Sequence, residues 1–97
     1  MGTYVSLCTF TDQGIRNVKE TVHRAEAVQA AGRKFGVEMK SILWTQGNYD
    51  LVVTFEAKDE QSMTAFGLAI GTQGNVRTQT LRAYSRDEMQ QILAKVG

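Results

Sequence analysis

Few side chains in this 97-residue sequence have the type and spacing that chemistry demands. His23 is the only histidine and Cys8 the only cysteine, so one chain holds no ligand set with zinc-like spacing and no metal site is expected. His23 falls beside Arg24 and near Lys19 and Glu20, on the polar side of a helical stretch. The plain expectation is a solvated histidine; the sharper one is a haem ligand or proton shuttle, because imidazole titrates near neutrality. Cys8 sits inside an alternating strand-like run with no neighbour that would stabilise a thiolate, which predicts a small buried hydrophobe. Gly67, Gly71 and Gly74 have the wrong polarity for a phosphate cradle. Such a cradle runs from a strand through glycines into a helix N-terminus, and these run from a helix into a strand.

The most distinctive stretch is Trp44 to Asp50. Gly47 and Asn48 supply turn chemistry, because both tolerate positive φ. Tyr49 offers an amphipathic surface with a hydroxyl, and Asp50 an acceptor for backbone or ligand donors. Asp50 either locks its own turn or holds a ligand or interface. Trp44 is expected in the core or at an interface, with ligand stacking as the alternative. Arg77 and Arg82 lie in an unusually polar run, Arg77 to Arg82, that suits a charged edge strand. The alternative is a cleft where a guanidinium holds an anion. Trp44, Tyr49, Asp50, Arg77, Arg82 and His23 are therefore the ligand-binding candidates, and the sequence identifies neither a catalytic residue nor a cofactor.

These residues hang on a regular order of elements. Thr3 to Phe10, Val37 to Thr45, Asp50 to Ala57 and Asn75 to Tyr84 read as strands, rich in β-branched and aromatic types at period two. Thr11 and Asp12 open a helix whose stripe is Ile15, Val18, Val22, Ala25, Val28 and Phe35, with Gly36 as a left-handed cap. At about 1.5 Å per residue that helix spans about 35 Å, too long for the strands, so a bend is expected near Thr21 to Arg24. Asp59 caps a second helix carrying Met63, Phe66, Gly67 and Ile70. Ser85 and Glu88 form a capping box ahead of Met89, Ile92, Leu93 and Val96. The order βαββαβ plus a terminal helix predicts an α+β ferredoxin-like fold with an antiparallel four-stranded sheet.

Composition narrows the function classes. Eleven basic residues against ten acidic leave a net charge of +1, which gives no electrostatic attraction for nucleic acid or an anionic membrane. No apolar run is long enough to span a bilayer and no signal peptide is present; with one unpaired cysteine, the cytoplasm is the expected location. Length allows one domain, residues 1–97, with one core. Trp44, Leu51, Val52, Val53 and Phe55 place apolar side chains on both faces of the sheet, while both long helices belong on one face. Covering the other face by a second copy predicts a homodimer or a higher homo-oligomer.

Gly47-Asn48-Tyr49-Asp50 ahead of Leu51-Val52-Val53 resembles the G-x-Y-D signature of the GYD domain family. Further matching pieces are Gln13-Gly14-Ile15-Arg16-Asn17, Arg24-Ala25-Glu26-Ala27, Lys34-Phe35-Gly36-Val37 and Gly74-Asn75-Val76-Arg77-Thr78, from about Tyr4 to Glu88. Members often carry a proline before the position of Arg24, which this chain lacks, and that departure bears on the helix bend. The resemblance implies a small bacterial protein of the dimeric α+β barrel type. The same order is similar to the effector-binding domain of Lrp/AsnC regulators, which implies dimerisation through sheets and a small metabolite held between subunits. No helix-turn-helix precedes the domain, so a stand-alone oligomeric module binding a small metabolite near Trp44, Tyr49 and Asp50 is the leading expectation. Likeness to small monooxygenases and haem-degrading barrels implies the alternative, a cofactor-free or haem-dependent oxygenase. A purely structural self-assembly domain is the third.

Overall fold

A computed structural model describes residues 1–97. β1 (Gly2–Phe10) lies between β3 (Leu51–Ala57) and β4 (Val76–Ala83), and β2 (Val37–Trp44) borders β3, giving the order β2-β3-β1-β4 with every pair antiparallel. This is the expected ferredoxin-like sheet, with the polar fourth strand at an edge. α2 (Thr21–Lys34) and α3 (Glu60–Thr72) cover one face. Tyr4, Cys8, Leu51, Val53 and Phe55 meet Met63 and Phe66 there and form the core. The ring of Phe66 packs edge-on against Phe55, with centroids 5.7 Å apart, and tilted against Phe35 at 5.4 Å. Cys8 is buried as expected, and burial pushes its thiol up to about 11, which leaves it protonated and unreactive at neutral pH.

The first helical stretch breaks earlier than its sequence predicts. α1 (Asp12–Arg16) ends at Asn17, one 3-10 turn follows at Val18–Glu20, and α2 starts at Thr21. The break therefore precedes Thr21–Arg24. Arg24 stabilises it: Nη1 donates to the Asn17 carbonyl at 2.8 Å and Nη2 to the Gly14 carbonyl at 3.2 Å. The Gly14 carbonyl belongs to the last turn of α1, whose carbonyls find few partners in so short a helix, and the Asn17 carbonyl also accepts from Glu20 N at 3.0 Å. The break also divides the expected apolar stripe. Ala25, Val28 and Phe35 face the core, whereas Ile15 and Val22 stay more than half exposed.

A β-bulge between Met39 and Ser41 is the second departure from simple alternation. The extra residue shifts the pleat, so Met39 and Ile42 both face the helices instead of opposite sides. The turn chemistry follows expectation at Gly36, whose φ of +76° ends the run into β2, and at Gly47, with φ +102°. Asn48 keeps a negative φ, so glycine alone carries the left-handed step of that hairpin.

α4 (Arg86–Val96) is capped as its sequence predicts: Ser85 Oγ accepts from Glu88 N at 3.1 Å, and Glu88 Oε1 accepts from Ser85 N at 3.0 Å. Its apolar stripe is unsupported. Met89, Leu93 and Val96 are exposed, and the radius of gyration is 14.5 Å where a compact chain of this length has about 13 Å.

Gly14 provides a test of the helix-to-sheet junction. A Cβ built there lies 1.9 Å from the Asn75 carbonyl oxygen, so backbone has to move. Gly14→Ala is expected to lower stability by about 1–3 kcal/mol, the usual cost of overpacking, read as the urea unfolding midpoint at unchanged slope.

Candidate functional site

The end of β1 gathers most of the sequence-predicted motif pieces. Asp50 Oδ2 accepts a hydrogen bond from Phe10 N at 2.8 Å, and Asp50 N donates to the Cys8 carbonyl at 2.8 Å. The aspartate thus continues the β1–β3 ladder one step past Leu51 with its side chain. On the other side Thr11 N donates to the Asn75 carbonyl at 3.1 Å, and Thr11 Oγ1 donates to the Gly74 carbonyl at 2.5 Å. Gln13 Nε2 reaches Asn75 Oδ1 at 3.0 Å, and the Arg24 guanidinium stands 5.8 Å over the Phe10 ring. Asp50 therefore locks a different strand, not its own turn. Its own loop is closed by Thr45, whose Oγ1 donates to the Tyr49 carbonyl at 2.6 Å.

The other candidates do not converge. Trp44 Nε1 donates to Thr21 Oγ1 at 3.0 Å, pinning the end of β2 to the start of α2. Tyr49 donates its hydroxyl to Gln79 Oε1 at 3.0 Å, and so reaches over the sheet face away from the helices. Arg77, paired with Thr9, points to that same face. Arg82 lies on the helix side between the rings of Tyr4 and Tyr84, at 5.4 and 4.6 Å, and donates to the carbonyls of Thr3 and Ala83. Its Nη2 also sits 3.4 Å from Glu88 Oε2, tying β4 to α4. His23 is exposed on α2. Haem, raised by the likeness to haem-degrading barrels, needs an inward axial ligand; His23 does not line the cavity described below, and Cys8, which does, is held as a protonated thiol by burial. The residues do not fit that group.

Two features remain for function. The first is the sheet face without helices. Cross-strand partners share a face, so Leu43, Val52, Leu7 and Gln79 form one rank and Ser41, Thr54, Val5 and Leu81 the next, with apolar side chains at Leu43, Val52, Leu7, Val5 and Leu81. Leu43 is 65% exposed and Leu81 46%. The two ends of the face differ in charge. Glu38 and Glu56 flank Lys40 at one end, at 3.7 and 4.0 Å, and Arg77 lies at the other. The second feature is a cavity of about 490 Å³ between the helices and the sheet. None of Trp44, Tyr49, Asp50, Arg77, Arg82 or His23 lines it.

Sequence reasoning missed Arg24 and Ser6. Arg24 bonds carbonyls seven and ten residues away, and no periodic pattern announces such a contact. Ser6 was detectable: it occupies an inward position between Tyr4 and Cys8, and Ser6 Oγ lies 3.0 Å from Thr80 Oγ1 on the helix side.

Two outcomes are expected here. Asp50→Ala leaves the half-buried Phe10 N–H unpaired and lowers stability by about 1.5–3 kcal/mol, while Asp50→Asn keeps an acceptor and loses less, both read by urea denaturation. The Glu88 carboxyl is held below the usual carboxylate range, first by the Ser85 N–H and further by Arg82. The unfolded chain then binds that proton more readily, so the contribution is complete above the unfolded value and is lost as pH falls through the folded one. Far-ultraviolet circular dichroism on acidification should show loss of α4 helicity before the sheet unfolds, and Glu88→Gln should abolish that early phase.

Known proteins carry the same pattern. The GYD domain family matches residues 4–93. A Thermus thermophilus protein named glutamine synthetase and cystathionine beta-lyase binding protein is 33% identical over 84 residues, covering 86% of this chain and 88% of that protein. The crystal structure of TTHA0845 from Thermus thermophilus superposes with a TM-score of 0.56 at 23% identity, over 88% of this chain and 95% of that one, and shows the same fold. With the match running from β1 into α4, the chain belongs to the GYD domain family.

Proposed function

We propose that this chain is an assembly module that pairs with a second copy through the open sheet face and, as a pair, docks on a partner protein. The observation that carries it is the two-rank apolar face of Leu43, Val52, Leu7, Val5 and Leu81, which no element of the chain covers. Contiguous apolar surface of this kind drives association in water. The charges select the geometry. A two-fold axis across the strands sets the Glu38–Glu56 end of one copy over the Arg77 end of the other, whereas an axis along the strands stacks like on like.

Area also points to α4 as part of the pairing. Four strands about 4.8 Å apart and about 26 Å long cover about 500 Å². A standard interface takes about 800 Å² from each partner. The exposed stripe of Met89, Leu93 and Val96 supplies the remainder if it lies on the second copy. Docking on another protein rests on the relative named for binding two enzymes, at 33% identity over most of both chains. The metabolite expected near Trp44, Tyr49 and Asp50 has less support, because Asp50 and Tyr49 spend their polar atoms on Phe10 and Gln79.

Leu43→Glu tests the pairing with little risk to the fold, because Leu43 is mostly exposed in the single chain. Light scattering behind gel filtration should show the parent as a pair and Leu43→Glu as single chains with unchanged circular dichroism. Purified glutamine synthetase and cystathionine beta-lyase, immobilised separately, should retain the parent at least ten-fold better than the variant. A parent that elutes as a single chain, and binds neither enzyme, would contradict the proposal.

A further inference from the structure

Between the helices and the sheet lies a cavity, open to solvent, of about 490 Å³. That lies within the range of about 300–1,000 Å³ seen for small-molecule sites. Its walls are apolar: Phe10, Val28, Ala31, Phe66 and Ile70 contribute side chains that hold no polar atom. A polar rail of neutral hydroxyls, Ser6, Thr78 and Thr80, runs along β1 and β4, and Thr21, Gln73 and Asn75 add polar groups from α2 and the turn before β4. Arg24 at the rim already donates through both terminal nitrogens to the carbonyls of Asn17 and Gly14.

One way in runs between α3 and β4. Met63, Gly67, Thr78 and Thr80 line both the cavity and the groove outside it, so they form the mouth. Gly67 is unexpected there. Glycine inside a helix costs about 1 kcal/mol relative to alanine, and it is usually retained where a neighbour comes too close for a side chain. Here a Cβ meets nothing within 4 Å. What the missing side chain leaves is open space at the mouth.

We infer that this cavity binds a neutral, largely apolar small molecule, entering past Gly67 with a hydroxyl or carbonyl turned towards the Ser6–Thr78–Thr80 rail. The lining sets the class. Apolar walls reward the hydrocarbon part, the hydroxyls can donate to or accept from one polar group, and the one charged group in the lining, Arg24, already turns both terminal nitrogens to backbone carbonyls. The site lies on the helix side, so its occupancy does not depend on pairing through the open face.

N-phenyl-1-naphthylamine, a neutral dye that brightens in apolar surroundings, is the probe. Titrated into the intact protein, it should saturate at one site per chain. Unlabelled 1-naphthol should displace it at least ten-fold better than 1-naphthalenesulfonate. Gly67→Met, which places a flexible side chain in the mouth, should weaken dye binding at least ten-fold while the thermal midpoint holds or rises. Gly67→Ala keeps the mouth wider, so it should raise the midpoint with a smaller effect on binding. Leu43→Glu on the opposite face should bind dye as the parent does. Absence of saturable binding, or unchanged binding in Gly67→Met, would overturn the inference, and equal competition by the sulfonate would overturn the neutral-ligand assignment.

Discussion

The fold is tied together at the end of β1, where the backbone of Phe10 and Thr11 is held from both sides. Asp50 takes the Phe10 N–H, and the Asn75 carbonyl takes that of Thr11. Through these bonds the hairpin after β2, the turn before β4 and the first helical turn all meet one point on the central strand. Gly14 has no side chain because Asn75 occupies its space, and Arg24 closes the short helix that follows. Asp50, Gln13, Gly14, Arg24 and Asn75, from the pieces that resemble the family in sequence, all meet at this junction. Their chemistry is spent on architecture, and function has to be sought elsewhere.

The readings proposed above rest on two other places, which the junction positions but does not occupy. β1 and β3 are apolar on both faces, and α2 and α3 cover only one. The uncovered face carries two largely apolar ranks with charge of opposite sign at its ends, the features on which the proposed pairing rests. The covered face is not fully packed, because Ala31 and Gly67 stand where larger side chains would fill the space above Ser6 and Thr80. The two features lie on opposite sides of the sheet, about one strand layer apart.

Local signals in the sequence were read correctly because they are local. Period-two alternation gave β1 and β3 within a residue of their observed bounds, and the Ser85–Glu88 capping box and the Asp59 cap stand where their spacing puts them. The four strands in order, with the apolar character of Val52 and Leu51 on opposite faces, were enough for the fold. Three things were not legible. The bulge at Lys40 inserts one residue, and alternation alone assigns Ile42 to the wrong face. The break at Asn17 depends on Arg24 reaching back to two carbonyls, a contact set by the tertiary fold. The role of Asp50 depends on a strand forty residues earlier. Of the site candidates, Tyr49 and Arg77 reach the open face, whereas His23, Trp44 and Arg82 lie apart from it and from the cavity.

The account turns on whether the open face is covered in water by a second copy. Sedimentation velocity of the untagged chain over a dilution series, from about a hundred micromolar to below one, addresses that most directly. A species of twice the 10.8 kDa chain mass, dissociating only at the lowest concentrations, is the predicted result. A single-chain mass at every concentration would mean that Val5, Leu7, Leu43, Val52 and Leu81 face water as they are, and would contradict the central claim.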